Sequence, residues 1–499
     1  FLVSSGLDSN SDYYVAINRG PHKHYLCGWD ECTQIGGHSC KNMTTFKEWT
    51  KTNSLPDKAG NWYLTGNVTL SNTWEPTDDT VLCLNGYEIT ITCTSSNYSS
   101  GGINVKKDTT FTLCDDSGKG KITISSDYGV YVKEGGTFNL YGGTITGTTT
   151  AGVYTKGTFT MYGGSVADNK KEGVDIFGGT FTMYDGSING NGEKYGGGVV
   201  VSSSSTFDMK GGRITNNQRT LGGVCVYRFG TFYMSGDAEI SDNTVDLEYT
   251  SAAIAGGVYM GGTFYMSGNA KIINNKVIGT YDGTSDKGKA AGGLCVDSTN
   301  VYISGNVQIT GNERNGKTNN VRLGDGGGVL HINAAMEETA RIGVTTSTEP
   351  DANSSQGIWI VDGANDRELD YTKIFLPDVT DKNYEVVHHD QYYDDLYLRV
   401  HQHSWNYTAS GATITAACAC NESGGSVTIE APAEDTLTYD GNTKAATVVN
   451  NGLPADVTAP TITYKVKGSD QSIEAPVNAG TYIASITLTG ADGKPATAS

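Results

Sequence analysis

Residues 151–169 read A-G-V-Y-T-K-G-T-F-T-M-Y-G-G-S-V-A-D-N, and residues 172–191 repeat the frame as E-G-V-D-I-F-G-G-T-F-T-M-Y-D-G-S-I-N-G-N. The common pattern is G-V-x-V, then G-T-F-x-M-x-G-G, then Ile or Val followed by x-x-Asn. Its clearest copies begin at Gly129, Gly152, Gly173, Gly198, Gly223, Gly257 and Gly293. A unit of roughly 21 to 25 residues is too short to bury a hydrophobic face of its own, so the copies must stack and share one core.

The spacing of apolar residues identifies the kind of stack. Val174 and Ile176, Val199 and Val201, and Val224 and Val226 sit two apart, as do Phe159 and Met161, Phe181 and Met183, Phe207 and Met209, Phe232 and Met234, and Phe264 and Met266. A period of two puts each pair on one face of a strand. A third short strand supplies one inward residue per copy: Ile145, Val166, Ile188, Ile214, Ile240, Ile272 and Ile309. Three strands per coil joined by glycine corners, with no helical window, predict an all-β parallel β-helix solenoid. Asn169, Asn191, Asn217, Asn243, Asn275 and Asn312 follow the third strand. Stacked, they form an amide ladder at a corner where Asn also tolerates a left-handed turn.

The motifs G-G-T-F-T-M-Y-D-G-S and N-G-Y-E-I-T-I, with the paired-glycine corners, resemble right-handed β-helix regions of secreted surface proteins of Gram-positive gut bacteria, within the pectin-lyase-like superfamily. The resemblance spans residues from about 60 to 400 and speaks for fold, not for ligand. Tyr-Asp-Gly at 439–441 and Ala-Gly-Thr-Tyr at 479–482 resemble bacterial Ig-like modules of cell-wall adhesins. A last strand normally follows in that family, where here G-A-D-G-K-P-A-T-A-S remains, so the resemblance implies a truncated module with more modules and a wall anchor beyond it.

Four segments follow from this reading. Residues 1–59 lack the repeat and carry Trp29, Phe46 and Trp49, which fits an N-terminal cap over a raw solenoid end. Residues 60–400 are the β-helix with closing coils. Residues 401–425, rich in Ser, Thr, Ala and Gly, read as a connecting segment. Residues 426–499, short alternating strands between turns, read as a C-terminal Ig-like β-sandwich.

Composition limits the function. Only 18% of the 499 residues are charged and the net charge is −19, which argues against nucleic acid as a partner and fits solubility at a cell surface. No run of about 18 apolar residues occurs, so membrane insertion is not expected. The chain opens at Phe1 without a leader, as expected of a secreted protein whose signal peptide is not in this sequence. A monomer is expected.

Ten cysteines in this length are neither a dense disulfide scaffold nor a cytosolic pattern. His22, His24, Cys27 and Cys40, with Cys32 and His38 among them, offer enough imidazole and thiolate for a structural zinc, although the spacing matches no standard finger and an oxidising exterior could pair the cysteines instead. Cys83 and Cys114 could bridge adjacent coils, while Cys225 and Cys295, two coils apart, are expected as space-fillers or free thiols. His401, His403, Cys418 and Cys420 flank the solenoid's exit and could bind metal or serve the junction.

For chemistry, a β-helix enzyme needs an acid and base pair or a carboxylate cluster beside a basic residue on one outward face. The outward positions of the middle strand carry charge in one coil only, at Asp208 and Lys210, and Asp175 stands alone on the first strand. No catalytic residues are assigned. Those faces offer tyrosine instead: Tyr141, Tyr162 and Tyr184, then Tyr233, Tyr265 and Tyr302, with Tyr259 on the first strand. Such rings suit sugars or a protein interface, and stacked Tyr also stabilises a sheet. The corner loops lengthen after Asn243 and Asn275, which would raise one wall bearing Tyr249, Tyr281 and Asp282. The expected ligand-binding set is Tyr233, Tyr265, Tyr302, Tyr259, Tyr249 and Tyr281. The expected function is a secreted or wall-attached adhesin for a host or matrix glycan or glycoprotein, with a polysaccharide lyase or glycoside hydrolase as the alternative.

Overall fold

The computed structural model describes residues 2–7, 13–18, 23–24 and 44–499, apart from 78, 94–99, 194, 250–253, 280–289, 297–299, 325–327, 352–355, 390, 419 and 456; side chains are described from Thr45 onward. The chain divides into two units, Phe1–Val400 and His401–Ser499.

The first unit is a parallel β-helix, with the right-handed winding that parallel strands joined this way adopt. Each regular coil carries the three strands foreseen: Ala151–Thr155, Thr158–Met161 and Ser165–Ala167 in one, Gly222–Val226, Thr231–Met234 and Glu239–Ser241 in another. Middle strands stack in a sheet of 15, while first and third strands lie in a sheet of 21. Register is strict, Phe159 opposite Phe181 and Phe181 opposite Phe207, so the repeat stacks like on like. Seven phenylalanines from Phe111 to Phe264 form one inward column with centroids 4.5 to 5.4 Å apart. With the Met and Leu column and the third-strand Ile and Val column they belong to one core running from Trp49 to Leu398.

The glycine that opens each G-V-x-V is required by close approach. A Cβ on Gly173 would lie 2.5 Å from Ile188 and 2.8 Å from the Asn191 amide, and one on Gly198 2.7 Å from Ile214 and 3.0 Å from Asn217. The asparagine ladder is fully buried. From Asn191 on, each Oδ1 accepts from the backbone N–H and the amide of the Asn one coil earlier, as in Asn191 to Asn217 at 3.1 and 2.9 Å, while Asn169 accepts from the Thr148 backbone and hydroxyl. The left-handed residue is not the ladder Asn, as expected from sequence, but the one before it: Asp168, Gly190, Asn216, Asp242, Asn274 and Gly311. The ladder runs past Asn312 to Asn320 and ends on Asp378, which accepts from the Asn320 backbone at 2.7 Å and amide at 2.6 Å and from Thr345 at 2.8 Å.

Three boundaries differ from the sequence reading. The solenoid begins before residue 60, because Lys47–Trp49 already pairs in parallel with Gly60–Leu64. The loops after Asn243 and Asn275 open with strands Thr244–Asp246 and Lys276–Ile278, which join Gln218–Arg219, Glu313–Arg314 and Lys317–Thr318 in a separate five-stranded sheet. Val245, Leu247, Ile254, Val277 and Ala290 give that wall its own buried cluster. Finally, residues 401–425 are not a connector: Trp405–Ser410 and Thr413–Cys418 form an antiparallel hairpin. Its alternation was masked by small and polar side chains.

The second unit is a β-sandwich of two four-stranded antiparallel sheets, with Ile414, Ala416, Val427, Leu453, Ile486, Ala496 and Ala498 as its buried core. The stretch read as a remainder supplies the strand Pro495–Ala498, paired to Tyr482–Thr489.

Candidate functional site

The outward face of the middle sheet carries two adjoining rows. In the first, Tyr141, Tyr162 and Tyr184 stack at 4.4 and 5.1 Å with planes 6° and 7° apart, and Lys210 places its ammonium 5.1 Å from the Tyr184 ring centre. Lys210 also pairs with Asp208 at 3.3 Å, which crosses to the second row. There the register runs Asp208, Tyr233, Tyr265, Tyr302, His331, Asp362. Ring centres are 5.0, 4.9 and 5.4 Å apart from Tyr233 to His331, and His331 Nδ1 meets Asp362 at 2.9 Å. One diagonal aromatic strip thus spans nine coils, with a Lys–Asp pair at its middle and a His–Asp pair at its end.

Stacking decides which part of each ring is available. Tyr265 and Tyr302 are half-buried with both faces covered by neighbours, so their edges and hydroxyls point outward, while Tyr233 has one face free of a ring and is 41% exposed. The face therefore offers phenol edges from six of its nine coils and one ring exposed by 41%. His331 and Asp362 were missed by sequence reading because the closing coils lack the glycine frame that sets the register.

The other expected residues lie elsewhere. Tyr259 is in the first-strand sheet, half-buried against Ala255, Ala291 and Cys295. Tyr249 is 45% exposed on the wall, with the Arg219 guanidinium 4.3 Å above its ring. Tyr281 and Asp282 lie outside the described residues, as do His22, Cys27, Cys32, His38 and Cys40, and of His24 only the backbone is described.

The first-strand face is not the open surface that alternation implied. Cys225 and Cys295 are buried, and Tyr128, Tyr131 and Tyr154 close into an aromatic floor with Ala151, their rings 4.5 to 5.8 Å apart. Exposed Phe177 extends it, 6.3 Å from Tyr154, with the Lys156 ammonium 5.4 Å from the Phe177 ring centre. Asp175 does not stand alone beside this floor. Burial raises its carboxyl to about 6, and burial, then the Asp175 charge, raise Glu172 to about 7. Among the described residues nothing hydrogen-bonds Asp175 Oδ1. Tyr227 lies near enough for the charges of Cys225, Glu172 and Asp175 to push its phenol up. Glu172 escaped sequence reading because it sits on a corner, outside the strand alternation.

Cys83 and Cys114 are in-register neighbours on adjacent middle strands, both buried thiols beneath Phe46. In the second unit, His401, His403, Cys418 and Cys420 bring all four ligand atoms within 4.8 Å of one another. No family model, curated protein or solved structure matches this chain.

Proposed function

We propose that this chain is a secreted or wall-attached bacterial surface protein, of the pectin-lyase-like kind with an Ig-like module, that binds a host or matrix glycan or glycoprotein as a monomer without covalent chemistry. The observation that carries this reading is the aromatic strip from Tyr141 to Asp362. Its phenol edges recur at coil spacing in two runs of three, Tyr141 to Tyr184 and Tyr233 to Tyr302, and a ligand with its own repeat can follow such a run. Tyr combines a rigid apolar body with a polar tip at low entropic cost, which suits a solvated, hydroxyl-rich partner. Asp208 with Lys210 and His331 with Asp362 add polar hydrogen-bonding groups along the way. The acidic balance and the absence, among the described residues, of a helix long and apolar enough to cross a membrane agree with this reading.

The test is a glycan and host-glycoprotein array screen of the full chain, with a reducing-end assay on every hit. The reading expects binding without product.

One observation favours a second reading, a glycoside hydrolase. Glu172 and Asp175 lie close enough for their charges to act on each other and on Tyr128 of the aromatic floor, and have carboxyls raised to about 7 and about 6, so one can hold a proton while the other is ionised near neutral pH. New reducing ends that vanish in Glu172→Gln would select this reading over the first.

A further inference from the structure

We propose that His401, His403, Cys418 and Cys420 form a tetrahedral zinc site that staples the open end of the first hairpin of the C-terminal unit. The hairpin register pairs Trp405 with Cys418, so two residues further out His403 faces Cys420. The ligand atoms follow: His403 Nδ1 lies 3.5 Å from Cys420 Sγ, and His401 Nε2 lies 3.3 Å from Cys418 Sγ. Zinc bonds of about 2.3 Å to sulfur and about 2.0–2.1 Å to nitrogen at tetrahedral angles put N and S about 3.6 Å apart. The observed separations are within a few tenths of an ångström of that value, before any ion has drawn the four groups in.

The surroundings are those of a ligand set. The two rings stand at 81° to each other with centres 4.9 Å apart, so each can direct a nitrogen to a common point. With His403 Nδ1 turned inward, its Nε2 looks out at the Glu422 carboxylate 3.7 Å away, the arrangement that orients a metal-bound imidazole from behind. The His403 ring is held flat on Trp405, 5.0 Å between centres and 23° between planes. Cys418 is buried and Cys420 exposed, and the Cys418 N–H donates to the Glu422 carbonyl at 3.0 Å. Two thiolates and two imidazoles select a borderline-soft, tetrahedral ion, which is zinc before calcium or magnesium.

The unit also has a physical use for a staple. Three of its seven core residues are alanines. A small fold with little apolar burial gains much of its stability from a metal clip, because the site does not exist in the unfolded chain.

The experiment measures bound zinc in the purified full chain by mass spectrometry, for the wild type and for Cys418→Ser/Cys420→Ser, followed by cobalt titration of the zinc-free proteins. The double variant should hold one equivalent less zinc than the wild type, so any metal on the N-terminal His and Cys cancels in the comparison. Cobalt should give tetrahedral absorption with thiolate charge-transfer bands in the wild type that the double variant loses. Glu422→Gln keeps all four ligands in place and should weaken cobalt binding by roughly 10- to 100-fold. Equal zinc content in wild type and double variant would overturn the proposal, as would a Cys418–Cys420 disulfide in wild type isolated with zinc present.

Discussion

Each regular coil up to Phe264 contributes a Phe, a Met or Leu and an Ile or Val, and the next coil puts Val301 and Ile303 in the Phe and Met places, in a core that continues for nearly the length of the unit. The sandwich, by contrast, closes on seven buried residues, three of them Ala. In the solenoid, translation by one coil brings each side chain onto its own copy, so a residue that packs well once packs well throughout. That holds for polar groups too: a buried Asn, costly in isolation, donates to the Asn of the next coil and accepts from the Asn of the one before. The sandwich has no such translation, so each buried group must find a different partner. Repetition lets a glycine-rich chain bury polar columns, whereas a single small module must use another device.

The largest effect on this contrast is expected from Phe207→Ala. It removes a fully buried ring from the middle of the phenylalanine column and should cost about 3–5 kcal/mol in chemical unfolding of the solenoid. Leu453→Ala, at the edge of the sandwich core, should cost less. A larger loss at Leu453 would mean that the sandwich, not the solenoid, depends more on each buried side chain.

Next is Asp378→Ala, which strips the last acceptor from the asparagine ladder. It leaves the Asn320 N–H and amide and the Thr345 hydroxyl without it, and should cost roughly 2–4 kcal/mol by denaturant titration. A change near zero would show that the ladder does not depend on its end.

The smallest effect concerns pH. Glu172 and Asp175 have folded-state carboxyls raised to about 7 and about 6, above the unfolded values near 4. Between those limits the folded chain binds more protons than the unfolded one, so stability falls as pH rises from about 4 to about 7. The melting temperature should be higher at pH 5 than at pH 8 by an amount on the order of a degree or two, and Glu172→Gln should flatten the slope. An unchanged slope in that variant would place the protons elsewhere.

Much of this architecture is legible in the sequence. Phe and Met two apart, Gly before Val, and Asn after the third strand predict the three strands, their inward faces and the ladder, because each is repeated in register. What escaped reading lies where repetition stops. Asn320 and Asp378 close the ladder from irregular coils. Glu172 sits on a corner, and His331 and Asp362 align with the tyrosines only once the closing coils are in register. The hairpin at 405–418 is written in Thr, Ala and Ser, whose alternation carries little hydropathy. The tyrosine positions and their stacking could be read, but not that stacking would leave ring edges as the part presented.

That last point gives the most direct test of the proposed function. The triple variant Tyr233→Phe/Tyr265→Phe/Tyr302→Phe keeps every stacked ring and removes only the outward hydroxyls. Calorimetric titration of the best array ligand into this variant should show affinity reduced by 10-fold or more with an unchanged melting temperature. Undiminished affinity in the triple variant, with the fold intact, would contradict the aromatic strip as the binding face.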